Sequence, residues 1–332
     1  MAYIIKQIPE DFMVSEVIDL FIGEGGNYAC YSLWKNNCTT ERAVAMAAAA
    51  LNKRLKHINY SGTKDKFAVT EQYISVLNGP KRNIEMNNVK LNYLGRIDER
   101  INLSTHVAND FDIVVRNIEK APEKLSWVPN YFDEQRFGME KTNHYIGKLI
   151  VQKKFKEAVR MIPEDSCIEH LKKYPNDAIG ALRTIPKRTL WMYLHAYQSF
   201  IWNKAVSEYL KQFDHKKIKY VLGELVVPKN PENIENIDVP MVGYETTIPK
   251  KIEPIINKIL SDEGVKMEDF KIPEMPEMVS KGSSRKILAP IEDLEISELE
   301  NDELNNGKKR CSISFRLPRG SYGTMAIRCM FD

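Results

Sequence analysis

What this chain of 332 residues lacks narrows its chemistry first. Cysteines are few, five at Cys30, Cys38, Cys167, Cys311 and Cys329, with no CxxC pair and no histidine at zinc-ligand spacing. That pattern excludes a disulfide framework and predicts a reduced, metal-free intracellular protein. The histidines His57, His106, His144, His170, His195 and His215 form no HExxH pattern either. Gly23-Glu24-Gly25-Gly26 is not a GxGxxG turn joining a strand to a βαβ helix, which sets nucleotide binding aside. No apolar stretch reaches the roughly 20 residues that span a bilayer. Met1-Ala2-Tyr3-Ile4-Ile5-Lys6-Gln7 has neither the basic start nor the apolar run of a signal peptide. The expectation is a cytoplasmic protein with no membrane partner. Repeats at a fixed period and low-complexity tracts are also missing.

Charge of one sign is scarce as well: 48 Lys and Arg against 45 Asp and Glu leave a net charge of +3. Such a chain does not coat nucleic acid indiscriminately, so any contact with one must be local. Basic residues do cluster, at Asn52 to His57, Lys153 to Lys156, Lys216 to Lys219 and Lys308 to Arg310, while Glu292 to Glu303 is acidic. Runs of this kind are ordinarily solvated faces.

What is present is enough apolar residue, 43%, to bury a sizeable core, and a length that predicts two domains. Thr40 to Leu51 joins a capping residue, an acidic first turn and an alanine run, and predicts a helix. Alternation around Val69 to Ile74, Val89 to Ile97, Phe111 to Val115 and Cys311 to Leu317 predicts half-buried strands. Between them, Tyr145 to His170 and Leu190 to Phe213 carry apolar residues at helical spacing. A proline-punctuated stretch from Pro228 to Pro254 follows, and Gly282-Ser283-Ser284 reads as a linker. Strands at both ends around a different middle predict an inserted domain.

Gly62-Thr63-Lys64-Asp65-Lys66-Phe67-Ala68-Val69-Thr70-Glu71-Gln72 puts an acid just after a glycine turn and just before a strand, where catalytic groups tend to sit. Alone, Lys64-Asp65 is an ordinary charged turn. In company it is more, because Gly62, Lys64, Asp65, Ala68, Thr70 and Gln72 match the signature GxKDxxAxTxQ. Asp11-Phe12, Val14 and Glu16 form a DFxVxE element, and Asn130-Tyr131-Phe132 with Gln135-Arg136-Phe137-Gly138 an NYFxxQRFG element. Ala196-Tyr197-Gln198-Ser199 with Asn203, and Phe315, Leu317-Pro318, Gly320-Ser321-Tyr322 and Thr324, continue the series. In this order, from about residue 9 to about residue 328, the chain resembles the TruD family of tRNA pseudouridine synthases. Departures are modest: Asp133 stands where many relatives have glycine, Gly323 where alanine is usual, and Cys329 where glutamate is expected.

The resemblance implies an α+β fold. Residues 1–155 and 285–332 would form a pseudouridine synthase catalytic domain with a mixed, mainly antiparallel sheet. Residues 156–284 would be an inserted, helix-rich α/β TRUD domain, with the RNA taken in the cleft between the two. It implies isomerisation of uridine to pseudouridine in tRNA, at position 13, by a monomer without cofactor or metal. Breaking the bond from ribose C1′ to uracil N1 and rejoining through C5 changes no redox state. A carboxylate suits the step, adding to C1′ or removing the 2′ proton, and Asp65 is the match to the family's essential aspartate. A base inside folded RNA must be extruded and held by stacking and edge hydrogen bonds. By the same resemblance Phe132 supports that base and Asn130 fixes it or orders its loop. Lys64 points away from Asp65 if the chain is extended, and so contacts RNA phosphate or buttresses the loop. The cation beside Asp65 is left open, with Arg136 and Arg316 as candidates, and His195 is placed near the cleft. Two rivals stand: a noncatalytic RNA-binding or RNA-chaperone protein on the same fold, and a glycosidase-like hydrolase, for which Glu71 is a poor second carboxylate.

Overall fold

The structure, a computed structural model, describes residues 3–332. The chain packs as two units, residues 3–126 with Pro290–Gly323 and Phe331, and Trp127–Ala289 with Thr324–Met330 and Asp332. The N-terminal stretch runs β1 (Phe12–Ile18), β2 (Tyr28–Asn36), α1 (Thr40–Ala50), β3 (Ile58–Tyr60), β4 (Val69–Leu77), β5 (Ile84–Met86), β6 (Val89–Ile97) and β7 (His106–Ile118). The middle follows with β8 (Trp127–Pro129), α2 (Asn143–Val151), α3 (Phe155–Met161), α4 (Asp165–Lys173), α5 (Ala178–Arg183) and α6 (Lys187–Leu210). It continues through β9 (His215–Tyr220), β10 (Gly223–Pro228), β11 (Asp238–Met241), α7 (Glu253–Glu263), β12 (Ser283–Lys286) and β13 (Leu288–Pro290). The chain closes with β14 (Glu292–Ile296), β15 (Glu300–Asn301), β16 (Lys309–Pro318) and α8 (Gly323–Phe331).

In the first unit, ten strands among the described residues share one sheet, in the order β14-β16-β7-β1-β4-β2-β6-β5, with β15 on β16 and β3 on β4. β1 and β4 run parallel, while β1–β7, β7–β16, β2–β4 and β2–β6 are antiparallel. The sheet is therefore mixed and mainly antiparallel, as expected. Strand alternation decides its faces. Ala29, Tyr31 and Leu33 of β2 and Ile74 and Val76 of β4 meet Ala43, Val44, Ala47 and Ala48 of α1 in one buried cluster. The Thr39 hydroxyl starts α1 by accepting a hydrogen bond from the Arg42 N–H at 3.2 Å. Gly323 has a local cause: a Cβ there would lie 2.7 Å from the Phe111 ring, so an alanine would require that ring to shift.

The basic run Lys308 to Arg310 lies along the acidic one. Lys308 pairs with Glu119 at 2.6 Å, and Arg310 with Glu300 at 3.1 Å and Glu303 at 2.9 Å. This cluster is occupied within the unit.

The second unit is built around α6, which is buried on nearly every side through Leu190, Leu194, Tyr197, Ile201, Trp202 and Val206. Against it α2 comes so close that a Cβ on Gly147 would sit 2.1 Å from the Tyr193 carbonyl oxygen, so only glycine fits. The linker reading of Gly282-Ser283-Ser284 is overturned. Ser283 and Ser284 begin β12, which pairs antiparallel with β11 through Met241↔Ser283 and Pro240↔Ser284. Serine's turn preference loses here to the backbone hydrogen bonds that a partner strand supplies. Among the described residues no helix is long and apolar enough to cross a membrane.

Candidate active site

Asp65 sits on the loop just before β4, and the side chains around it fix its backbone. Lys35, fully buried on β2, donates from Nζ to the Asp65 carbonyl oxygen at 2.6 Å. One residue earlier, the Lys64 N–H donates to the Thr40 hydroxyl at 2.9 Å, and that hydroxyl donates to Gln72 Oε1 at 3.1 Å. Gln72 Nε2 closes the circuit by donating to the Gly62 carbonyl at 3.0 Å. Alternation explains the geometry, since Gln72 shares a face of β4 with Ile74 and Val76 and so points at the start of α1.

The Asp65 carboxylate itself accepts from Lys6 Nζ, 2.5 Å from Oδ2, with side-chain exposures of 27% for Asp65 and 19% for Lys6. It is thus open to a reactant while its main chain is held. Lys6 is a well-anchored cation. Its ammonium lies 3.9 Å from the centroid of the Phe12 ring. The backbone before it exchanges two hydrogen bonds between Ile4 and Arg116, at 2.9 and 2.8 Å. After it, the N–H groups of Gln7 and Ile8 both donate to Asp11 Oδ2 at 3.1 Å. The DFxVxE element therefore has a physical task, which is to place Lys6.

Lys64 turns away from the Asp65 carboxylate. Its Nζ lies 3.5 Å from Glu16 Oε1, whose side chain is fully buried. Glu16 also accepts from the Ser61 hydroxyl and, at 3.0 Å, from the Tyr73 N–H, and His106 Nδ1 stands 3.7 Å away. Burial lowers the pKa of Lys64, opposed by the charge of Glu16. Burial pushes Lys35 down to about 8, and burial followed by the Lys64 charge lowers His106. Lys64 thus serves the loop through Glu16.

Asn130 and Phe132 lie together in the second unit. Asn203 of α6 clamps Phe132 from both sides, accepting from its N–H at 2.9 Å and donating to its carbonyl at 2.8 Å. Tyr220 donates to the same carbonyl at 2.8 Å, and the Trp202 ring meets Phe132 edge-on at 5.6 Å. Arg285 of β12 donates to the Asn130 carbonyl at 2.7 Å and to its Oδ1 at 2.5 Å, and its guanidinium lies 4.3 Å from the Phe132 ring centroid. Arg136 approaches the same ring at 5.2 Å. Phe132 is only 3% exposed.

Sequence reasoning missed Lys6, Lys35 and Arg285. Of its two candidate cations, Arg316 is held by Asp110 at 2.6 and 3.0 Å, and Arg136 adjoins Phe132. No local signal marks Lys6, because its place by Asp65 follows from the parallel pairing of β1 with β4, the strand that follows Asp65. Asp133, the departure from glycine, accepts from the Thr324 hydroxyl, so two motif segments meet there. Cys329 is fully buried, and burial pushes its thiol up to about 12.

A family model described as tRNA pseudouridine synthase D (TruD) matches residues 1–167 and 160–330 of this chain. A "Probable tRNA pseudouridine synthase D" of Nanoarchaeum equitans is 30% identical, covering 98% of each chain. A "Probable tRNA pseudouridine synthase D 1" of Methanococcus maripaludis is 27% identical over 98% of this chain and 99% of its own. The crystal structure of the "Putative tRNA pseudouridine synthase D (TruD)" from Methanosarcina mazei superposes with a TM-score of 0.74 at 28% identity, covering 98% of this chain and 93% of that one.

Proposed function

The chain belongs to the TruD family of tRNA pseudouridine synthases, and on that premise we propose that Asp65 is the reacting carboxylate of a uridine-to-pseudouridine isomerisation in tRNA. The observation that carries the assignment is a solvent-reachable carboxylate on a loop fixed at Gly62, Lys64 and Asp65, bonded to the Lys6 ammonium. Asp65 acts on ribose C1′ or on its 2′ proton, the C1′–N1 bond breaks, and the base rejoins through C5 while the C5 hydrogen is replaced by one on N1. Atoms and electrons balance without a cofactor. The unit that carries Asp65 is the catalytic domain and the segment 156–284 the insertion. A noncatalytic RNA chaperone is not favoured, since it has no use for a carboxylate held in this way. Five buried free thiols support a reducing, cytoplasmic setting.

Phe132 supports the extruded uracil. Because Arg285 covers its ring, a base stacks there only by displacing that guanidinium, one planar group replacing another. Asn130 is then released from Arg285 and available to the base edge. The target is uridine 13.

The deciding experiment incubates the purified chain with unmodified tRNA transcripts and maps pseudouridine chemically. Product at position 13 is the expected result. Product elsewhere would overturn the target, and none on any tRNA would overturn the enzyme. Lys6 offers a second, smaller prediction. Losing a charge-assisted hydrogen bond costs about 1.5–3 kcal/mol, so Lys6→Met should lower the single-turnover rate roughly 10- to 150-fold, with Lys6→Arg restoring part of it. A rate for Lys6→Met equal to wild type would remove Lys6 from the site.

A further inference from the structure

We propose that a pocket lined by Arg136, Trp191, His195, Gln198 and Lys281 in the second unit is a nucleotide subsite for the base next to the extruded uridine. The inference rests on the pseudouridine synthase reading and extends it to a specificity-determining contact. The pocket encloses about 340 Å³, at the lower end of the roughly 300–1,000 Å³ of small-molecule sites. Its lining holds two cationic residues and no carboxylate. The larger cavity of about 650 Å³ beside α6 differs, because Lys204, Lys211, Lys217 and Lys258 face Glu208, Glu224 and Asp262 there, and a polyanion gains little.

Trp191 and His195 are four residues apart on α6 and so share one face, with ring centroids 5.2 Å apart and planes tilted by 44°. Both are partly exposed, as a stacking platform must be. Burial, then the Arg136 charge, lowers the pKa of His195, which favours a neutral imidazole with a π-face over a second cation. Arg136 lines the pocket, and its buried Nε–H has no hydrogen-bond partner in the structure. Gln198 fixes the wall, donating to the Val242 carbonyl at 2.6 Å and to Ser280 Oγ at 2.8 Å. Lys281 stands at the exposed rim, paired with Glu245 at 3.2 Å.

Arg136 also sets the occupant's place. Its guanidinium is 5.2 Å from the Phe132 ring, so whatever fills the pocket neighbours a base on that ring. An unstacked neighbour of a flipped nucleotide has the aromatic face and polar edge that this lining accommodates. Arg136 comes from the QRFG segment and Gln198 from the AYQS segment, two motifs for which the chemistry at Asp65 has no use.

The test is a thermodynamic cycle on the full chain, using tRNA transcripts with one abasic nucleotide on the 5′ or the 3′ side of the target uridine. On the intact transcript Trp191→Ala should lower kcat/KM roughly 5- to 150-fold, with Trp191→Phe restoring most of it. On one of the two abasic transcripts, wild type should already be slowed and Trp191→Ala should cost about twofold or less beyond that. If Trp191→Ala costs nothing, or costs the same on both abasic transcripts as on the intact one, no base occupies the pocket and the inference falls. Wild type that forms no pseudouridine on the intact transcript overturns the parent reading, and this one with it. Should Trp191→Ala fail to fold, His195→Ala runs the same cycle with His195→Phe as the restoring variant.

Discussion

Asp65→Asn is expected to reduce pseudouridine formation by at least about 10⁴-fold while leaving the fold and tRNA binding in place, because the amide can neither add to C1′ nor take a proton. The substitution is close to isosteric. Three hydrogen bonds that fix the loop reach its backbone or its neighbours: Lys35 on the Asp65 carbonyl, Thr40 on the Lys64 N–H, Gln72 on the Gly62 carbonyl. None of them needs the carboxylate. Lys6 loses its anionic partner, yet the hydrogen bonds that place it run through Ile4, Gln7 and Ile8. Single-turnover rates on a tRNA transcript, read beside the transcript's dissociation constant, separate the two effects. A residual rate within about tenfold of wild type would falsify the assignment of Asp65. A binding loss as large as the rate loss would show that the carboxylate serves the fold rather than the chemistry.

Much of the fold was legible because periodicity reports burial directly. Helix α1, the long strands and the helical middle follow from residues that must face a core, although the stretch from Tyr145 to His170 divides into the three helices α2, α3 and α4. The sites were legible only as motifs. Asp11, Glu16 and Gln72 announced themselves as pattern, and their tasks, ordering the Lys6 turn, anchoring Ser61 and Lys64, and tying Gly62 to Thr40, emerge only in three dimensions. What stayed hidden depends on long-range pairing. Lys6 lies 59 residues from Asp65 and reaches it because β1 runs parallel to β4, through Met13↔Val69 to Ser15↔Glu71. No local signal encodes that register. Arg285 lies 155 residues from Asn130, on a strand whose Gly-Ser-Ser start reads locally as a flexible joint. For Lys64 local reasoning sufficed, since successive side chains on extended backbone diverge, and its ammonium lies by Glu16 rather than with Asp65, its neighbour in sequence.

Those long-range contacts give the second large prediction, which concerns stability. Arg116, only 2% exposed, holds Asp11 Oδ1 at 2.9 Å, Asp302 Oδ1 at 3.0 Å and Glu303 Oε1 at 3.0 Å. Arg116→Met would keep most of the volume and strand two buried carboxylates. Breaking a buried ion pair from one side costs about 3–5 kcal/mol, and urea unfolding of the full chain at neutral pH should show a loss in that range. Acid unfolding supplies the control. Burial pushes the Asp302 carboxyl up, but the Asn117 N–H, Asn305, the Leu304 N–H and Arg116 together bring it down to about 2. A carboxyl depressed in the folded state stabilises above its unfolded value of roughly 3.9, and that contribution disappears as pH falls through the folded value. Arg116→Met removes part of the depression, so its acid-unfolding midpoint should move to higher pH than that of wild type. An unchanged urea midpoint would mean that the carboxylates find other partners. The same arginine exchanges backbone hydrogen bonds with Ile4 and pairs with the carboxylate that caps Gln7 and Ile8, so the loss should reach the active site. At a temperature where the folded state persists, Lys6→Met should therefore cost less activity in an Arg116→Met background than in wild type, because the ammonium it removes is already loosely placed.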